Sequence, residues 1–174
     1  MKQTKKITLS AMLTALGAVL MIIGAVLEVL DLSACAIASL TVVFAYLEIG
    51  HPYTFLIWIC TSLVTALIFQ SSVIWIEYLL VFGIYPILKA YIEKLPRIFW
   101  LPVKLVYINA VIWLLLLVFE KLFGIPFFES DLFIMKVFTY VLINVAFVAY
   151  DMFITVMVRL YFDKFRPKFK KFLK

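Results

Sequence analysis

Four polar side chains, Glu77, Asn109, Lys136 and Asn144, fall inside stretches that are otherwise almost wholly apolar. A carboxylate, an ammonium and two carboxamides are costly in such surroundings, and groups of this kind face a cavity or one another. Tyr107, Trp113 and Tyr140 occupy the same zones of the chain. Their flat rings with a polar edge are suited to stacking on, or hydrogen-bonding, a planar solute. Glu77, Asn109, Trp113, Lys136, Tyr140 and Asn144 therefore form a candidate solute-binding set. The competing structural expectation pairs Glu77 with Lys136, or lets both reach an interface, and uses the asparagines to bridge helices.

Other reactive residues point away from catalysis. His51 is the single histidine and has no adjacent nucleophile, whereas general acid–base work needs a positioned partner. No Ser-His-Asp set, His-x-x-x-His spacing or paired acids occur, so no enzyme is expected. Cys35 and Cys60 lie in apolar segments without metal-type spacing and read as small buried hydrophobes, so no metal or other cofactor is expected. None of the five glycines precedes a lysine, which removes the phosphate-cradling Gly-Lys-Ser/Thr loop of a nucleotide-binding protein. Asp151 precedes Arg159 by two turns, and pairing with a basic residue such as Lys104 is expected there over a proton relay.

The elements that must position these groups are membrane helices. Hydrophobic residues make up 67% of the 174 and charged residues 15%, with a mean hydropathy of +1.15. A soluble domain would lack the polar residues to cover its surface. About 20 apolar residues span the hydrocarbon. Interruptions at Glu28, Asp31, Glu48, Gly50, Pro52, Glu120 and Lys121 then divide the chain. From 53 to 88 it is nearly continuous, and as one helix would reach about 54 Å, so it must fold back at Gln70-Ser71-Ser72. The expected fold is all-α, a single integral-membrane domain over 1–174 with six transmembrane helices at about 7–27, 33–47, 53–69, 73–90, 101–119 and 132–160. A basic tail follows at 161–174. Gly83 and Pro86 predict a kink in the fourth span, because Pro86 cannot donate to the carbonyl of Phe82. Leu32-Ser33-Ala34-Cys35 resembles a lipoprotein cleavage site, but Glu28 and Asp31 break the apolar run before it, so the first helix is expected to be retained.

The formal charge of +6 is not a nucleic-acid patch, because the cations gather at alternate breaks. They sit at Lys2, Lys5 and Lys6, at Lys89, Lys94, Arg97 and Lys104, and from 159 to 174. The opposite connections carry Glu28, Asp31, Glu120, Glu129 and Asp131, with Lys121 as their one cation. Retention of Lys and Arg on the cytoplasmic side gives an N-in, C-in orientation in a cell membrane, as in a bacterial plasma membrane. The turn at 48–52 alone lacks its expected cation. The tail alternates aromatic and basic residues and suits anionic lipids. The connection around 124–128 is read as a loop resting among headgroups.

The first helix is rich in small residues. Ala11, Ala15 and Ala18 share one stripe, and Ser10, Thr14, Gly17 and Gly24 the next. Small residues let helix backbones approach where lipid supplies no hydrophobic drive, either inside the bundle or against a partner. A short basic start, an Ala-x-x-x-Ala first helix and six spans in a chain of this length resemble the substrate-binding S component of energy-coupling factor (ECF) transporters. The resemblance covers the overall plan and one short motif. It implies that Ala11 and Ala15 meet a transmembrane coupling subunit, that separate ATPase subunits supply the energy, and that the solute is small and vitamin-like or nucleobase-like. The alternative is a structural multispan protein of a cell-wall elongation complex (MreD-like), without a ligand and with its intramembrane polar residues serving as glue. An autonomous carrier or channel is disfavoured by the lack of a repeat and of a polar line through any span.

Overall fold

The computed structural model describes residues 3–27, 30–70, 72–118, 120–121 and 133–166, with backbone alone at 133–135. Expectations that concern Lys2, Glu28, Ser71, Glu129, Asp131, the connection 124–128 and the tail past Arg166 lie outside the described residues. The described elements are helical throughout, and no strand occurs among the described residues. In order they are α1 (Gln3–Leu27), α2 (Asp31–Glu48), α3 (Tyr53–Ile68), α4 (Ile74–Glu77), α5 (Tyr85–Ile92), α6 (Trp100–Val118) and α7 (Phe133–Leu160). π-Helical turns occupy Tyr78–Phe82 and Tyr161–Phe165, and a 3₁₀ turn occupies Arg97–Phe99.

Five stretches are long and apolar enough to cross a membrane: Gln3–Leu27, Asp31–Glu48, Ile74–Ile92, Arg97–Val118 and Lys136–Phe165. Tyr53–Ile68 is equally apolar in character but shorter, at 16 residues. Such lengths are compatible with a membrane location. The breaks fall where the sequence placed them. α2 stops at Glu48, and Gly50 takes a positive φ of 79°, a conformation that a side chain would strain. Pro52 then precedes α3. α3 ends at Ile68, and the Ser72 amide donates to the Phe69 carbonyl across the fold-back, at 3.2 Å.

The chain divides into two compact units, residues 1–90 with 154–174, and residues 91–153. In the first, α1, α2 and α3 pack mutually, and α4 with the π turn joins α2 and α3. Its core contains Met21, Cys35, Ala38, Val42, Ile57, Ile74 and Tyr78. Close approach depends on glycine at two levels of α1. A Cβ on Gly17 would stand 3.2 Å from the Thr61 hydroxyl and 3.3 Å from that of Thr41, and one on Gly24 only 2.4 Å from the Ala34 Cβ. In the second unit α6 and α7 run antiparallel, and contacts descend α7 as they ascend α6: Lys104 with Asp151, Tyr107 with Phe147, Asn109 with Asn144.

The fourth span is interrupted as expected, but the device differs. The Gly83 amide reaches back five residues to the Tyr78 carbonyl at 2.7 Å, which widens the turn before Pro86 is reached. Pro86 then sits in the first turn of α5, where its missing N–H costs nothing. A Cβ on Gly83 would lie 2.4 Å from Trp58, whose indole N–H donates to the Leu79 carbonyl at 3.1 Å. A ring has taken the place where the helix gave way.

Two cations counted as loop residues are not in a loop. Lys89 lies on α5 and Lys104 on α6; both are buried, with ammoniums that reach protein partners. Lys89 donates to Thr155 Oγ1 at 2.8 Å. Lys94 and Arg97 are the exposed cations of that connection.

Candidate functional site

Of the six residues expected to bind solute, the second unit brings three together. The Tyr140 hydroxyl donates to Asn109 Oδ1. Asn109 and Asn144 exchange amide hydrogen bonds at 3.4 Å across α6 and α7. Each asparagine also donates to its own helix, Asn109 to the Leu105 carbonyl at 2.8 Å and Asn144 to the Tyr140 carbonyl at 3.0 Å. These are the helix-bridging bonds expected of amides in an apolar medium. The cluster stands at an edge rather than in a sealed core, because Tyr140 is 46% exposed. Asn109 and Asn144 behind it are partly buried.

The remaining three are distributed over both units. Lys136 is half-buried on α7, one turn before Tyr140 and on the same face. Trp113 lies one turn beyond Asn109, but its ring is 67% exposed. Glu77 belongs to the first unit, at the end of α4, and its carboxylate interacts electrostatically with that of Asp31.

At the other end of the α6–α7 pair lies an ion cluster. Lys104 Nζ reaches both Asp151 oxygens at 2.9 Å and Glu93 Oε1 at 3.3 Å. Pairing of Asp151 with Lys104 was the expectation; Glu93 is an addition to it. A cavity of about 30 Å³ beside the pair is lined by Leu101, Lys104, Leu105, Phe147, Val148 and Asp151. That volume is room for a water molecule and not for a vitamin.

Sequence reasoning passed over the hydroxyl face of α3. Thr54, Thr61 and Thr65 are fully buried, and Ser62 nearly so. Thr65 and Ser62 donate to carbonyls one turn back, at 2.9 and 3.0 Å, which satisfies the hydroxyls without a partner helix. Thr41 likewise donates within α2, to the Ala38 carbonyl at 2.7 Å, while the Thr41 and Thr61 side chains meet Gly17 and Tyr78 is buried against both. The signal was the spacing of Thr54, Ile57, Thr61 and Thr65, a single helical face.

α1 separates its two small-residue stripes. Ser10, Leu13, Gly17, Met21 and Gly24 face inward. Ala11 and Ala15 are exposed, beside Met12, Leu16 and Val19. Ala18 is only 5% exposed, because α1 meets α2 and α3 at the level of Gly17. The outward small-residue face therefore consists of Ala11 and Ala15, continued toward the basic start by Thr8 and Thr4.

Comparison with protein-family models, curated proteins and solved structures found no match to this chain.

Proposed function

We propose that this chain is the substrate-binding membrane subunit of an ECF-type uptake transporter, with six spans and both termini in the cytoplasm. The observation that carries the reading is the outward Ala11–Ala15 face of α1. A helix surface given over to lipid has no need of alanine and threonine, whereas close approach of another helix does. The basic start of the chain sits at the same end, so the face would lie near the cytoplasmic leaflet. A coupling subunit with its ATPases is the partner, and it supplies the energy. The solute is small, planar and polar, vitamin-like or nucleobase-like, and would meet Asn109, Tyr140 and Asn144. Lys136, one turn before Tyr140 on the same face of α7, contributes charge.

Copurification tests this reading. The chain is expressed with candidate coupling and ATPase subunits, and Ala11→Trp and Ala15→Trp are compared with the parent. Both variants should keep their own thermal stability, since neither side chain packs internally, and should lose the complex. An intact complex from both variants would sink the docking claim.

A second reading is favoured by one specific observation: Asn109, Tyr140 and Asn144 already satisfy one another. In a structural multispan subunit of an MreD-like kind, that cluster is helix glue and no solute enters. Asn109→Leu separates the two readings. It should abolish solute retention under the first and affect only assembly under the second.

A further inference from the structure

We propose that residues 94–101 form a pinned amphipathic elbow seated in an anionic lipid leaflet. The elbow exposes large apolar side chains to a degree no water-facing turn would tolerate: Ile98 is 83% exposed, Leu101 60%, Phe99 55% and Leu95 47%. Lys94 and Arg97 are exposed among them. Alternating cations and apolar side chains match the boundary between phosphates and acyl chains, where each basic residue gains from anionic headgroups.

The elbow is built rather than slack. Its Arg97–Phe99 segment is a 3₁₀ turn, and the Trp100 indole N–H donates back to the Leu95 carbonyl at 2.7 Å, closing the loop on itself. Lys94 lies over the Tyr91 ring at 4.6 Å. Beneath, Lys104 holds both ends: its ammonium pairs with Glu93 just before the elbow and stands 5.8 Å from the ring of Trp100 near its end. Asp151 fixes Lys104 in turn. The ion cluster thereby sets the depth and tilt at which Ile98 and Phe99 meet the bilayer. Charge complementarity selects anionic lipid over a protein partner, since two cations without an exposed acid face outward over 94–101. The inference stands whether or not a solute is bound.

A nitroxide at Ile98→Cys, in a Cys60→Ala background, reads the depth. The full chain is placed in bilayers of phosphatidylcholine, with and without phosphatidylglycerol. The label should be reached by oxygen and shielded from a water-soluble nickel chelate, more strongly so with phosphatidylglycerol. Native mass spectrometry of the chain from mixed bilayers should show phosphatidylglycerol enriched over phosphatidylcholine, and Lys94→Gln with Arg97→Gln should reduce that enrichment by the share the elbow contributes beside the basic tail. Nickel access equal to that of an aqueous label would overturn the seating. Shielding from both reagents would also overturn it, since a protein surface would then cover the elbow. Enrichment unchanged in the double variant would overturn the assignment to anionic lipid. Both cations are exposed, so loss of fold does not confuse these outcomes.

Discussion

Lys104 holds both oxygens of Asp151 at 2.9 Å, joining the second turn of α6 to α7 through an ammonium only 10% exposed. The same ammonium reaches Glu93, so one cation is shared by two carboxylates from two parts of the chain. A charge so enclosed stabilises only as long as its partner stays, because an isolated ion in an apolar surrounding is far more costly than a pair.

Removing one partner should therefore hurt more than removing both. Lys104→Met leaves two carboxylates without their cation and should cost about 3–5 kcal/mol, the range for a broken buried pair. Lys104→Met with Asp151→Leu should recover a large part of that loss. Thermal unfolding of the purified variants in detergent measures both. A double variant as unstable as the single would show that the pair is not the unit of stabilisation.

The amide cluster should behave more mildly. Hydrogen bonds between membrane helices average about 0.6 kcal/mol and reach about 1.7. Tyr140→Phe and Asn144→Leu should each destabilise the chain by amounts in that range, and together by less than their sum, because they share Asn109 as partner. Double-mutant unfolding provides the readout. A loss several times larger from Asn144→Leu would mean that the cluster carries more of the α6–α7 contact than its hydrogen bonds.

Two glycines of α1 should respond differently to the same methyl. At Gly24 the new Cβ would meet the Ala34 Cβ at 2.4 Å, a contact on a helix that cannot step aside, so Gly24→Ala should cost about 1–3 kcal/mol. At Gly17 the neighbours are threonine side-chain atoms at 3.2 Å and beyond, and alanine's better helix propensity, worth about 1 kcal/mol, offsets the crowding. Gly17→Ala should be near neutral. Equal losses at the two sites would show that the crossing is set elsewhere.

Most of the helix plan was legible because the signals that end long apolar helices are local. Glu48, Gly50 and Pro52 stop α2, and α3 ends at Ile68 with Ser72 bonded back to Phe69, whatever lies around them. The pairing of Lys104 with Asp151 was also legible, since two opposite charges in apolar stretches have few alternatives. The orientation of α1 was not. Both of its stripes are small, and the choice between them was made by Thr41 and Thr61 on other helices, which no pattern within α1 can reveal. Lys89 escaped for a related reason. A lysine near a helix end reads as a loop cation until its partner, Thr155, is known to lie within reach. The π turn at Tyr78–Phe82 had only Gly83 as a trace.

The turn at 48–52, which lacks a lysine or arginine of its own, obtains one from the far end of the chain. Arg166 approaches Glu48 at 3.5 Å, and the Tyr161 hydroxyl donates to the same carboxylate oxygen at 2.8 Å. The Tyr161 ring also stands edge-on to Phe44 at 5.5 Å. Glu48 therefore ties the segment after α7 to the end of α2, with a side chain 12% exposed. Glu48→Gln keeps a hydrogen-bond acceptor for Tyr161 and removes the ion pair, whereas Glu48→Ala removes both. Trypsin cleavage after Lys164 should accelerate modestly in Glu48→Gln and strongly in Glu48→Ala, with Tyr161→Phe between them. The rate of loss of the C-terminal peptide, followed by mass spectrometry, checks the order. Identical rates in all four proteins would show that the aromatic contact with Phe44 alone retains the segment.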